Sequence, residues 1–156
     1  MPMHQPGRDE MELDSIAFAF FSAFSSLDLK PVDLASLRQL FLPGAVIVAV
    51  AANGAITRYD VESFIEPREA LLTSGRLLGF SEREVTADTQ IFGDIAQRWS
   101  LYSKSGTLDG RNADGWGRKA AHFVRISAGW RISAIVWQDG AEGTEIPTAE
   151  PSVETA

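Results

Sequence analysis

Four polar side chains in two strand-like segments are the strongest candidates for chemistry in this chain. Arg98, Ser100 and Tyr102 recur at every second position, which places them on one face of a β-strand. His122 occupies an alternating position of the later segment. A guanidinium, two hydroxyls and an imidazole on one concave face can bind a small molecule, and an imidazole carries protons near neutral pH.

Each candidate also has a structural interpretation. A buried guanidinium needs a carboxylate or an anionic ligand, so Arg98 is either a ligand clamp or one half of an internal ion pair. The helix carboxylates that can pair with it are Asp14, Glu66 and Glu69. His122 is either a catalytic proton carrier or a hydrogen-bonded core imidazole. Ser100 and Tyr102 either contact a ligand or close an internal network.

One of two hairpins sets the direction of Arg98 and Tyr102. Gly93-Asp94 fits a two-residue turn with Gly first, and the resulting register pairs Val85 with Tyr102. Directly paired residues share a face, so Arg98 and Tyr102 are predicted to point inward together with Val85. The acidic and polar even-numbered positions between 82 and 90 are then predicted to face water, which leaves the inner face without a carboxylate.

The second hairpin sets the direction of His122. Residues 127–129, with Gly last, fit a three-residue turn that points His122 and Trp130 to the inner face. Arg125 and Arg131 then pair directly on the other face. Like charges directly opposite are tolerable only in water, which favours this orientation.

Apolar side chains on the outer face of both hairpins predict an interface. An apolar patch on the wet side of a sheet usually marks a contact surface. The predicted interface residues are Trp99, Leu101, Ile135 and Trp137.

Helical periodicity fills the first half of the chain and strand alternation the second, which predicts an α+β fold. Helices are expected at 11–25, 31–41 and 61–73. The third is capped by Asp60, and Pro67 is expected to kink or split it. Strands are expected at 45–50 and 56–59, joined by an Asn53-Gly54 turn, ahead of the two hairpins.

Length and composition limit the classes of function. The chain has 156 residues, a formal net charge of −7 and no cysteine, which predicts one acidic domain. An acidic surface disfavours nucleic acid, the lack of Cys excludes a thiolate, and one His in the folded region cannot make a metal site. No segment resembles a signal peptide or a membrane span, so a cytoplasmic protein without a cofactor is expected. The predicted boundaries are a disordered leader at 1–10, one domain at 11–140 and a disordered tail at 141–156.

Several short segments resemble bacterial proteins of unassigned function in the nuclear transport factor 2-like superfamily. They are FIEPR at 64–68, FGDIA at 92–96, SLY at 100–102, GWRI at 129–132 and VWQD at 136–139. The resemblance implies three N-terminal helices packed on a strongly curved, mainly antiparallel sheet, in a cone-shaped, cystatin-like fold. It also implies a pocket beneath the helices and dimerisation through the outer sheet face. The superfamily includes ketosteroid isomerases, dehydratases, polyketide cyclases and non-enzymatic binding domains, so the fold alone selects no activity.

The favoured function is binding of a small organic molecule, with an anionic ligand among the options, between the helices and the concave sheet face. The predicted ligand contacts are Arg98, Ser100, Tyr102, Tyr59 and Trp130. One alternative is an isomerase, dehydratase or cyclase-type enzyme with His122 as proton carrier and Asp14 as the best placed carboxylate. A second alternative is a protein-interaction module that uses the outer sheet face.

Overall fold

A mixed sheet forms the body of the fold, and helices cover one of its faces. The computed structural model describes residues 6–25 and 34–148. Its elements are α1 (Pro6–Ser22), a 3-10 helix (Leu34–Leu40), β1 (Phe41–Val50), β2 (Ile56–Tyr59), α2 (Val61–Thr73), β3 (Leu77–Phe92), β4 (Ile95–Leu108), β5 (Arg111–Asn112), β6 (Gly115–Ile126) and β7 (Gly129–Asp139). The strand order is β2-β1-β7-β6-β4-β3, with β5 paired to β4. The α+β class is confirmed. The sheet is mainly antiparallel, since its strand pairs are antiparallel except for the parallel pair of β1 and β7.

Helix α1 begins earlier than the periodicity predicts. It starts at Pro6, within the segment expected to be a disordered leader, and ends at Ser22. Proline suits a first helical turn because its missing N–H has no partner there. Asp9 is buried in this added turn, where its carboxylate accepts hydrogen bonds from Trp130 and Arg125. The apolar side of the helix packs into the core through Leu13, Ile16, Phe20, Phe21 and Phe24.

The second predicted helix is a 3-10 helix, so the described residues contain two α-helices where three were predicted. Its expected start at Pro31 lies outside the described residues. Leu34 and Leu37 are both fully buried, and residues three apart lie on one side of a 3-10 helix. Across the described ranges no helix is long and apolar enough to cross a bilayer.

Strand β1 starts at Phe41, before the predicted start at residue 45, and therefore contains Pro43 and Gly44. These two residues were expected to separate a helix from the strand. The β1–β7 register shifts between Phe41 and Val46, where proline cannot donate to the ladder. The predicted return strand at 56–59 is confirmed as β2.

Helix α2 has the predicted bounds and the predicted cap. The Asp60 carboxylate accepts from the Ser63 N–H at 2.8 Å, and the Ser63 hydroxyl accepts from the Asp60 N–H at 3.0 Å. The helix runs unbroken through Pro67, so the predicted split is not found. Pro67 and Ser63 are both exposed, so water can bond the Ser63 carbonyl that the proline leaves without a donor.

A β-bulge changes the inner face of the β3–β4 hairpin. From the turn as far as Ser100 the register is as predicted. Val85 then leaves the ladder, so Tyr102 pairs with Glu84 instead of Val85. Because side chains alternate between faces, the bulge turns Glu84 and Glu82 inward. The prediction that these positions face water, and that the inner face lacks a carboxylate, is therefore wrong.

The β6–β7 hairpin has its predicted register only in part. Its turn holds two residues instead of three, and an unpaired residue at Ser133 restores the predicted pairing at His122. The neighbouring strand decides which face is inward, because Ala121 pairs with the inward Arg98. His122 therefore points outward and is exposed, so its predicted inward orientation is wrong.

The same register divides the predicted outer patch. Trp99 lies on the outer face and is 51 % exposed, whereas Leu101 lies on that face but is 3 % exposed. Ile135 and Trp137 point inward, where Ile135 belongs to the core and Trp137 packs against it. Their assignment to the outer face is therefore wrong, and Val136, 43 % exposed, occupies the outer position in line with Trp99.

Candidate functional site

A cavity of about 310 Å³ lies between α2 and the inner face of the sheet. Its walls are mainly aromatic and leucine side chains. Six polar residues also line it, and we call them the cavity cluster: Arg68, Glu82, Tyr102, Lys104, Lys119 and Asp139. A mostly apolar hollow with a few convergent polar groups is the common form of a small-molecule site.

Lys119 is the most enclosed cation of the cavity cluster. Its ammonium donates to Glu82 at 3.2 Å, and its side chain is 9 % exposed. Ring centroids surround the Nζ atom at 4.5 Å (Phe20), 4.7 Å (Phe21), 4.9 Å (Tyr102) and 5.6 Å (Trp137). Burial lowers the pKa of Lys119 from its ordinary value, with Glu82 opposing that shift and Arg68 adding to it.

Arg68 is held by aromatic rings. Its guanidinium carbon lies 4.1 Å from the ring centroid of Phe64, 5.1 Å from that of Tyr59 and 5.4 Å from that of Trp137. One Nη donates to the Phe64 carbonyl at 3.0 Å, and burial lowers the pKa of the guanidinium. Within residues 6–25 and 34–148, no carboxylate lies at ion-pair distance from it. A guanidinium fixed in this way offers its remaining donors to an anion.

Tyr102 reaches across a strand to Asp139. Its hydroxyl donates to Asp139 Oδ1 at 2.5 Å, and Lys104 Nζ donates to the other carboxylate oxygen at 2.8 Å. Gly117 lies between Tyr102 and Asp139 in the ladder, and a β-carbon there would lie 2.1 Å from the phenol oxygen. Only glycine leaves room for this contact. Burial and then the Asp139 hydrogen bond raise the pKa of Tyr102, so the phenol stays protonated.

Arg98 belongs to a second polar group, the closed cluster, made of Arg98, Glu84, Asp14, Ser100 and Thr89. The Arg98 Nε donates to Glu84 at 2.9 Å, one Nη donates to the same carboxylate, and the other donates to Asp14 at 2.7 Å. That second Nη also donates to Thr89 at 2.8 Å, and Ser100 donates to Glu84 at 2.6 Å. Every nitrogen of the guanidinium contacts a protein oxygen. Of the two interpretations, the geometry therefore favours the internal ion pair over the ligand clamp.

His122 and Trp130 lie away from the cavity. His122 borders a separate hollow of about 460 Å³, which is larger but has no other titratable residue in its lining. Trp130 is fully buried, and its indole donates to Asp9 at 3.1 Å. The part of the chain that the structure describes contains no group of three or more His, Cys, Asp or Glu side chains placed to hold a metal ion. The cavity cluster is therefore the candidate site.

Comparison with known proteins identifies the fold. No family model and no curated protein matches the sequence. A protein from Novosphingobium aromaticivorans, provisionally named an aromatic ring hydroxylase, matches with 16 % identity, a TM-score of 0.71 and coverage of 88 % of this chain and 93 % of that one. A nuclear transport factor 2-like superfamily protein from Salmonella enterica matches with 13 % identity, a TM-score of 0.69 and coverage of 88 % and 95 %. The chain has the nuclear transport factor 2-like fold.

A third structure with the nuclear transport factor 2-like fold, from Streptomyces avermitilis and provisionally named a dehydratase, matches with 13 % identity, a TM-score of 0.68 and coverage of 88 % and 99 %. The predicted resemblance is thus confirmed at the level of the fold. Identities this low carry the fold and not the activity, because one fold hosts many sites.

Of the predicted ligand contacts, Tyr102 lines the cavity of this nuclear transport factor 2-like fold. Tyr59 packs behind the cavity wall, stacked on Trp137 at 6.4 Å between ring centroids. Ser100 and Arg98 lie in the closed cluster. These two predicted contacts therefore have protein partners already in place.

Of the cavity cluster, the predicted site residues include only Tyr102, and Arg68, Glu82, Lys104, Lys119 and Asp139 were not predicted. One signal was available for Lys119, since it alternates with Gly117 and Ala121 on a strand whose other positions on that face, except Arg125 near its end, are small or apolar. A cation at such a position indicates either that it lies at the edge of the sheet or that it has a charged partner inside the fold. No local signal marked Glu82, because the bulge that turns it inward involves an ordinary Val.

Proposed function

We propose that the cavity binds a small aromatic carboxylate, with the carboxylate at Arg68 and the ring against the aromatic wall. The supporting observation is a guanidinium that aromatic rings and the Tyr59 side chain hold in place, with no carboxylate of the described residues at ion-pair distance and Glu82 acting on it only from farther away. Planar guanidinium donors match a carboxylate in a two-pronged geometry. This proposal keeps the predicted anionic ligand and moves its anchor from Arg98 to Arg68.

The charge of the cavity cluster supports an anion. Its cations are Arg68, Lys104 and Lys119, and its carboxylates are Glu82 and Asp139, so the site has one positive charge in excess. The chain as a whole has a formal net charge of −7. A local excess of positive charge in an acidic protein attracts an anion to this place and away from the rest of the surface.

The size and walls of the cavity support an aromatic ligand. Its volume of about 310 Å³ is at the lower end of the range for small-molecule sites, about 300–1,000 Å³. Phe64 and Trp137 both line it, and their rings meet edge to face at 5.7 Å between centroids. A ligand ring placed there gains the offset or edge-on packing that aromatic pairs prefer.

Isothermal titration with benzoate tests the proposal. We expect Arg68→Met to weaken benzoate binding at least about tenfold, equivalent to about 1.4 kcal/mol. Benzamide, which has the same shape and no charge, should bind the unmodified protein at least about tenfold more weakly than benzoate does.

Arg76→Met is the matched control, because Arg76 pairs with Asp109 on the surface and is 60 % exposed. Its benzoate affinity should stay within about twofold of that of the unmodified protein. Equal benzoate affinity in Arg68→Met and Arg76→Met would contradict the proposal, as would equal affinity for benzamide and benzoate.

A further inference from the structure

Lys119 carries a primary amine that faces the cavity and is shielded from water. It is one of three lysines in the chain, with Lys30 and Lys104. Lys104 also lines the cavity, but its side chain is 28 % exposed, against 9 % for Lys119. Benzoate binding at Arg68 needs no amine, so the proposed function leaves Lys119 without a role.

The surroundings of Lys119 suit a reaction that conserves positive charge. Four aromatic rings and one carboxylate, Glu82, surround the ammonium. Rings and carboxylate favour any cation at that point and do not distinguish an ammonium from another nitrogen cation. An iminium is such a cation, so the groups that stabilise the resting lysine also stabilise its condensation product.

The position of Lys119 relative to Arg68 limits the ligand. Both cationic groups lie beside the Trp137 ring, with Lys119 Nζ at 5.6 Å and the Arg68 guanidinium carbon at 5.4 Å from its centroid. One aromatic molecule lying along the indole can therefore place a carboxylate at Arg68 and a second group at Lys119. A carbonyl is the group that a lysine amine attacks.

We propose that Lys119 forms an iminium with the carbonyl group of an aromatic oxo acid whose carboxylate lies at Arg68. This inference rests on the proposed function, because the carboxylate anchor is shared. It assigns Lys119 as the nucleophile and Glu82 as the group that moves its proton.

The step balances without any further reactant. Glu82 takes a proton from the Lys119 ammonium, and the neutral amine forms a carbon–nitrogen bond to the carbonyl carbon. One of the two protons left on the nitrogen passes to the carbonyl oxygen, which gives a neutral carbinolamine. Its hydroxyl leaves as water when Glu82 returns the first proton and the nitrogen lone pair forms the double bond. One ammonium and one carbonyl thus become one iminium and one water, with the positive charge kept on nitrogen.

The charged groups around Lys119 support this reactivity. Glu82 on β3 is the one carboxylate of the described residues at ion-pair distance, Asp139 on β7 acts from farther away, and Arg68 on α2 opposes the charge. Burial is the largest influence, and together these groups lower the pKa of the amine. The neutral, nucleophilic form is therefore more abundant near pH 7 than for a lysine in water.

Reductive trapping with 4-carboxybenzaldehyde tests the inference. The full-length protein is incubated with the aldehyde and sodium cyanoborohydride, and peptide mapping locates carboxybenzyl groups. At pH 7 we expect Lys119 to be labelled at least about tenfold faster than Lys104. As the pH rises, the labelling rate of Lys119 should level off at a lower pH than that of a lysine in water, because burial lowers its pKa. Benzoate should slow labelling at Lys119.

Two variants complete the experiment. Lys119→Arg keeps the cation and removes the primary amine, so the benzoate-sensitive label should vanish, whereas Arg76→Met, at an exposed residue outside the cavity lining, should keep it. Labelling of Lys119 at or below the rate of Lys104 in the unmodified protein would overturn the inference, and this comparison does not depend on how any variant folds. Benzoate binding without preferential labelling would refute the inference and leave the proposed function intact; absence of benzoate binding would refute both.

Discussion

Two charged clusters lie on the same inner sheet face, and they differ in what their cations contact. In the closed cluster, Arg98 donates from every nitrogen to protein oxygens, and its side chain is 7 % exposed. In the cavity cluster, Arg68 lies among rings and donates to a backbone carbonyl. Four of the five N–H groups of Arg98 thus donate to side-chain oxygens of the protein. Arg68 instead contacts a backbone carbonyl, the Tyr59 side chain and aromatic rings.

This difference shows that burial of a charged residue does not by itself indicate a binding site. A guanidinium most of whose donors bond to protein oxygens stabilises the fold only as long as its carboxylates remain. Arg68 has no carboxylate of the described residues at ion-pair distance, so we expect its substitution to affect the proposed ligand binding more than the stability. We therefore expect mutations in the two clusters to affect different measured quantities.

The largest expected effect is on stability in the closed cluster. Arg98→Met leaves Glu84 buried without its cation, which should lower the free energy of unfolding by about 3 kcal/mol in a urea titration. Benzoate affinity of the folded variant should stay within about twofold. Arg38→Met, which removes an exposed pair with Glu62, serves as the control and should leave the urea midpoint unchanged. A stable Arg98→Met protein that has lost benzoate binding would reverse the roles of the two clusters.

The next effect is at Gly117, the point where the cavity cluster depends on the backbone. In Gly117→Ala the new methyl group overlaps the Tyr102 hydroxyl and displaces it from Asp139, which should cost about 2 kcal/mol of unfolding free energy. Gly7→Ala is the control, because a β-carbon at Gly7 meets nothing within 4 Å. Similar stabilities for Gly117→Ala and the unmodified protein would show that the phenol does not need the space above Gly117.

A smaller effect is expected from Tyr102→Phe, and it depends on pH. The pKa of Tyr102 is raised in the folded protein, so its contribution to stability is full below the ordinary tyrosine pKa of about 10 and is lost as pH rises above it. The variant should lose about 1 kcal/mol at neutral pH, since Asp139 keeps Lys104. Urea titrations are run from about pH 8 upward. The difference in unfolding free energy between the two proteins should persist up to the ordinary tyrosine pKa of about 10 and shrink above it. Parallel curves would contradict this assignment.

The smallest effect on binding is expected on the outer face. Trp99→Glu lies on the opposite side of the sheet from both clusters, so benzoate affinity should change less than about twofold. The predicted homodimer stays a prediction, and the same variant tests it by light scattering. A monomer in Trp99→Glu and a dimer in the unmodified protein would support an outer-face interface. A dimer in both proteins would place the interface elsewhere, and a change in benzoate affinity would connect the two faces.

The sequence predicted local structure well wherever local chemistry determines it. The bounds of α2, its Asp60 cap and the β2 strand are confirmed, because capping residues and the Asn53-Gly54 turn act over a few neighbouring positions. The general location of the cavity, between the helices and the sheet, also agrees with the prediction.

Side-chain direction could not be predicted beyond the first bulge. The β3–β4 register was correct as far as Ala87, and one extra residue at Val85 then turned Glu84 and Glu82 inward. The direction of His122 depended on the pairing of β6 with β4, which no local signal contains. Arg68 became a candidate only when tertiary packing surrounded it with rings from three elements.

The most direct test of the central claim is a crystal structure of the protein grown with 4-bromobenzoate. The anomalous signal of bromine locates the ring, and the density locates the carboxylate. We expect bromine inside the cavity lined by Phe64 and Trp137, with the carboxylate at hydrogen-bond distance from Arg68. Bromine bound only in the hollow beside His122, or a carboxylate directed at Arg98, would contradict it.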